Sequence, residues 1–244
     1  PARVAEALQK FEAGESDSWV RLWQELSLPD GAVHYSWNFD NVTKSPGWQR
    51  ATPSEQSSIL RCAEAWLINK RLTQEDIFLL GNSTSYQHIA SYLALRLLFD
   101  VGSPVLVTAA PETWHQWAKA LIVYPLDHDV EQRNSIIKLA YEKAPEVALE
   151  TFRYLIDRDL ATSQPPHMRV RELAAIWDAR VAALLHEFLA KPGLTIEQTG
   201  TLLEVLLEHG DETAFKFARG MVKAAGNQPL ALVAAKALVA HQPR

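Results

Sequence analysis

Apolar residues recur at spacings of three and four along most of the chain. In "ATPSEQSSILRCAEAWLINK", residues 51–70, Ile59, Cys62, Ala63, Trp66 and Leu67 fall on one stripe. That is the 3.6-residue period of a helix with one buried face. Its start is marked as well. Thr52 is placed to cap, Pro53 fits the first helical position, and Glu55 completes a capping box. "LTQEDIFLL" predicts a short helix capped by Thr73 and closed by Gly81. The stretch "STSYQHIASYLALRLLFD" predicts another, with Ile89, Tyr92, Leu93 and Leu97 on one face.

Punctuation extends the pattern. Pro111, Pro145 and Pro229 read as helix-start prolines, Thr195 and Gln198 as a second box-like start, and Asp211 as the cap of "ETAFKFARGMVKAAG". Only 10 glycines interrupt a chain rich in Ala, Leu, Glu and Gln. No segment alternates apolar and polar residues as a strand does. The one short β-branched run, "SPVLVTAA", is read as helical. The expected fold is therefore all-α. Helix starts near 195, 211 and 228 lie about 16 residues apart. Such spacing predicts antiparallel helix pairs stacked as a HEAT- or tetratricopeptide-like α-solenoid.

Two stretches break the rhythm. "LPDGAVHYSWNFDNVTKSPGWQR", residues 28–50, is a long connection crowded with aromatic and turn-forming residues. "DLATSQPPHMRV" carries Pro165 and Pro166. The latter divides the expected organisation into an N-terminal helical block, 1–165, and a C-terminal helical-repeat block, 166–244, or runs within one continuous solenoid.

Composition narrows the function classes. At 244 residues the chain is long enough for a continuous core. A net charge of -5, with Lys and Arg scattered, argues against nucleic-acid binding through a basic face. Cys62 is the one cysteine, which rules out an internal disulfide and a cysteine-based zinc site. Its apolar neighbours suggest a small buried filler. No stretch reaches the roughly 18 uncharged apolar residues of a membrane span, "LALVAAKALVA" being broken by Lys236. No leader pattern opens the chain, so a cytoplasmic location is expected. Its first residue is Pro1 rather than Met, which points to a processed or excised piece.

Candidate chemistry is sparse. The phosphate-loop, dinucleotide, zincin and nucleophile-elbow signatures are all missing from the sequence. "GNSTS" at Gly81 lacks a phosphate loop's lysine and reads as a helix start. In "LDHDVEQR" His128 stands between Asp127 and Asp129, the trio a metal-dependent hydrolase would use. Adjacent helical residues point about 100° apart, however, and the competing reading makes Asp127 or Asp129 the cap of a helix starting near Val130. His186 precedes Glu187 with no second ligand four residues on. In "PETWHQWAKALIVYP", Trp114, Trp117, Ala118 and Leu121 share one stripe, and His115 and Lys119 another turned away from it. The indoles are expected in the core.

Three segments carry a family resemblance: "SPGWQRATPSEQSSILRCAEAWLINK", "SYLALRLLFD" and "PETWHQWAKALIVYP". Together they resemble the C-terminal helical-repeat (sensor) region of bacterial NACHT-type STAND NTPases. The matching positions are Pro46, Gly47, Trp48, Trp66, Leu67, Ala94 to Leu98, Trp114, Trp117 and Ala118, within roughly residues 45–125. The resemblance implies a sensor part of an antiviral-defence or signalling ATPase whose nucleotide-binding portion lies outside this chain.

The expected function is a non-catalytic recognition module that binds a protein partner or the parent chain's NTPase domain, without a cofactor or a resident metal. His34, Tyr35, Trp37 and Phe39 are the candidate partner contacts, because aromatics dominate interface hot spots. The alternatives are a hydrolase centred on Asp127, His128 and Asp129, or a structural scaffold or oligomerisation domain.

Overall fold

The computed structural model describes residues 2–15, 17–29, 41–70, 86–124, 129–162, 165–224 and 228–241. Among them secondary structure is helical throughout, with no strand. No described helix is long and apolar enough to cross a membrane. The chain forms two compact units, Pro1–Val147 and Ala148–Arg244.

Unit 1 contains α1 (Ala2–Glu12), α2 (Ser18–Ser27), a 3-10 turn (Val42–Lys44), α3 (Pro46–Arg50), α4 (Pro53–Asn69) and α5 (Tyr86–Asp100). It continues through α6 (Val105–Thr108), α7 (Pro111–Val123), α8 (Val130–Lys143) and the first residues of α9 (Pro145–Ala161). The start of α4 forms as its sequence predicts. Thr52 accepts from the Glu55 amide at 3.3 Å, and Glu55 accepts from the Thr52 amide at 2.8 Å. "SPVLVTAA" does fold as a helical turn, α6.

The α5 helix departs from the single stripe of Ile89, Tyr92, Leu93 and Leu97. Residues 90–98 are buried on every side, while Ile89 is only half-buried. The reason is position: α5 packs against α2, α4, α6, α7 and the 3-10 turn, so it has no solvent face to keep polar.

Within the long connection of residues 28–50, positions 41–50 are ordered into the 3-10 turn and α3. Ser45 caps α3, Pro46 takes its first position, and Gly47 lies against the end of α2. A Cβ on Gly47 would stand 2.6 Å from Leu26 Cα and 2.9 Å from its carbonyl oxygen, so only glycine permits this approach. The contact seats the buried Trp48 in the core.

Unit 2 continues α9 from Ala148 and adds α10 (His167–Ala174), α11 (Ala179–Leu189), α12 (Ile196–Glu208), α13 (Glu212–Lys223) and α14 (Gln228–His241). Its core includes Phe152, Leu155, Val170, Leu173, Val181, Leu185, Phe188, Leu202 and Leu206. The expected capping box at Thr195 and Gln198 forms, and Gln198 Nε2 also donates to the Leu160 carbonyl at 3.2 Å, tying α12 to the end of α9. Asp211 caps α13 through the Ala214 amide at 2.7 Å. The α12 helix contacts α10, α11, α13 and α14. Gly200 lets α12 and α14 close up, since a Cβ there would meet Val233 Cγ1 at 2.7 Å. In α14 Ala234 is fully buried, whereas Leu232 and Val239 are exposed.

Candidate functional site

Trp19, Trp23, Trp48, Trp66, Trp114 and Trp117 are buried in the framework of unit 1. Trp114 and Trp117 are buried and meet edge to face, with centroids 5.4 Å apart. Each indole N–H has a partner inside the fold: Trp114 donates to the Leu106 carbonyl at 3.1 Å and Trp117 to the Leu67 carbonyl at 3.2 Å. Trp19 donates to the Ala90 carbonyl at 2.7 Å, and Trp66 to Ser91 Oγ at 3.0 Å. These bonds let large indoles fill a core without stranding a polar atom. Trp114 and Trp117 therefore pack as their stripe predicts, and His115 is exposed.

The expected contact residues His34, Tyr35, Trp37 and Phe39 lie outside the described residues, as do Asp127 and His128. Asp129 is described. Its side chain accepts from the Gln132 amide at 3.2 Å, which makes it the cap of α8, and it stands 3.7 Å from Arg96 Nη2. His186 Nε2 lies 2.9 Å from Asp211 Oδ1, and Glu187 pairs with Arg153. No group of three or more His, Cys, Asp or Glu among the described residues is arranged to hold a metal ion. Cys62 is buried, and burial pushes its thiol up to about 12.

A feature the sequence reading missed runs along α5. His88, Tyr92, Arg96 and Asp100 recur every four residues and form a polar seam through an otherwise apolar helix. His88 Nε2 lies 2.7 Å from the Ala120 carbonyl, which can only accept, so that nitrogen carries the proton. Tyr92 stacks on Tyr124 at 3.8 Å between centroids. Arg96, fully buried, donates to Asp100 at 3.1 Å; Gln132 also donates to Asp100, and Arg133 donates to the Ile122 carbonyl at 3.3 Å. The signal was present as the i, i+4 repeat of polar residues inside "HIASYLALRLLFD". Its partners on α7 and α8 were not.

Unit 1 carries an open groove of about 860 Å³. It is built from α1, α2 and the facing residues of α4 and α5. Trp66 lies at its floor, with Tyr86 exposed at its rim. Charges of both signs line it: Arg3 and Glu6 on α1, Asp17 before α2, and Arg21 and Glu25 within α2. Glu6 lies 3.2 Å from Lys10 and 3.4 Å from Arg21, and these cations hold its carboxyl below the usual range, the Lys10 hydrogen bond leading. Lys70 stands 3.6 Å from Asp17, with its ammonium 5.2 Å from the Trp66 ring centre. A smaller cleft of about 280 Å³ reaches Trp66 from the side of Phe11 and Cys62. An open, charged and aromatic surface of this kind suits polypeptide contact better than a closed reaction chamber.

No family model, curated protein or solved structure matches the chain.

Proposed function

We propose that this chain is a non-catalytic recognition module that binds a protein partner through the groove over Trp66. The groove carries the reading: it brings Tyr86 and Trp66 together with Arg3 and Arg21, residue types enriched at protein contact surfaces. Asp129, a member of the trio in the hydrolase alternative, has its carboxylate engaged in capping α8 and in facing Arg96. The segment holding His34, Tyr35, Trp37 and Phe39 is proposed as a second contact.

The finer architecture and the larger setting belong to the same proposal. In unit 2, α12 packs against its sequence neighbours and also against α10 and α14, the ladder expected of HEAT-like stacking. With the Pro46-Gly47-Trp48 turn and the W-x-x-W-A helix, this supports a sensor part of a cytoplasmic bacterial NACHT-type STAND NTPase, with ATP bound elsewhere in the parent protein. A parent reading frame that encodes no phosphate-binding loop removes that setting.

The test of the groove uses a partner recovered by cross-linking and identified by mass spectrometry. Its affinity is measured by titration for the unaltered chain and for a Gln24→Ala, Tyr86→Ala double variant. Loss of about tenfold or more is expected if these rim residues act as interface anchors. Equal affinity, with the variant still folded by circular dichroism, removes the groove as the recognition surface.

A further inference from the structure

We infer that the groove receives a guanidinium side chain of an incoming polypeptide at Glu25, and that Arg3 occupies this place in the free chain. The inference rests on the recognition reading and names the chemistry of its contact.

Three observations converge on Glu25. First, its side chain is only 8% exposed although it lines an open groove. A carboxylate so far withdrawn from water needs a close cation or several donors. Second, the cation facing it among the described residues is Arg3, at 3.9 Å, and the Arg3 side chain is 70% exposed. A pair that long, with one partner almost wholly in water, compensates the carboxylate poorly. The other groove carboxylates differ: Glu6 has Lys10 and Arg21 within 3.4 Å, and Asp17 has Lys70 at 3.6 Å. Third, the same groove carries an exposed aromatic ring at Tyr86, while Trp66, 2% exposed, lies beneath the Lys70 ammonium.

A planar guanidinium meets this arrangement better than other ligand chemistry does. Its fork spans both oxygens of a carboxylate, and its flat, weakly hydrated face lies against an aromatic ring. Gln24 and Gln87, which also line the groove, supply amide groups for the peptide backbone on either side. Arg3 then acts as an internal surrogate. Its guanidinium reaches the carboxylate from the solvent side and leaves it when a better-seated cation arrives.

The experiment titrates the peptide Ac-Gly-Arg-Gly-NH2 into the full chain and follows the backbone amide resonances of Gln24, Glu25 and Gln87. The citrulline peptide, equal in shape but neutral, and spermidine, a free polycation, are titrated in parallel. Saturable shifts are expected with the arginine peptide and not with the citrulline peptide. Glu25→Gln is expected to weaken binding about tenfold or more. Arg3→Ala, a surface change that leaves the core untouched, is expected to tighten it about threefold by removing the competitor. Equal shifts from the citrulline peptide, binding of spermidine but not of the arginine peptide, or weaker binding in Arg3→Ala overturns the inference. A protein partner that still depends on Gln24 and Tyr86 while the arginine peptide fails leaves the recognition reading standing and removes this one alone.

Discussion

Arg96, with no exposed surface, donates to Asp100 one turn further along the same helix, at 3.1 Å. The pair lies where α5 is enclosed, and Asp129 and Gln132 on α8's first turn reach the same place. Together they tie α5 to α8, two helices that α6 and α7 separate along the chain.

Removing one member of that pair leaves its partner buried. Arg96→Met is expected to cost about 3–5 kcal/mol, and Asp100→Leu a similar amount. The double variant is expected to be less destabilised than the two single costs added together, because no buried charge is stranded. Urea unfolding at constant slope measures this. Strictly additive losses would show that the two side chains act independently.

Cys62 sets a pH dependence. Its thiol is pushed up to about 12 by burial, against an ordinary value of 9.0. Above pH 9 the unfolded chain loses this proton while the folded chain keeps it, so the unfolded state binds fewer protons and stability falls as pH rises. The loss begins near pH 9 and levels off near pH 12, with a slope of up to about 1.4 kcal/mol per pH unit. Cys62→Ala is expected to flatten that part of an alkaline unfolding series. The native thiol is expected to resist maleimide at pH 7.5 and to react after unfolding. Rapid labelling of folded protein would place the thiol at the surface.

Gly47 is expected to tolerate no side chain. Gly47→Ala places a methyl 2.6 Å from backbone that cannot swing away, at a cost of about 1–3 kcal/mol. Gly200→Ala meets a single valine methyl at 2.7 Å and gains helix propensity, so its loss is expected to be the smaller of the two. Thermal melts of the two variants compare them directly. A Gly47→Ala melt as high as that of the unaltered chain would mean that α3 does not press on α2.

Much of the helical framework was legible because its signals are local. The Thr52–Glu55 and Thr195–Gln198 boxes and the Asp211 cap each involve residues within three positions of one another. The stripe through Trp114 and Trp117 needs only the helical period. The all-round burial of α5 was not legible, since nothing inside a helix states how many others will surround it. The groove was missed for the same reason. Arg3, Glu25, Trp66 and Tyr86 come from four helices, and no spacing along the chain relates them.

The sequence alone determined that the described chain is helical, where several of its helices begin, and that Trp114 and Trp117 serve the core. These follow from hydrogen bonds and side-chain spacing within a turn or two. Only the tertiary structure decided that Glu25 stands beside Arg3 at the wall of a groove floored by Trp66, and that Arg96 is enclosed beside Asp100. Such neighbours are set by how whole helices pack, a long-range balance of apolar burial and polar pairing that no short window of residues contains.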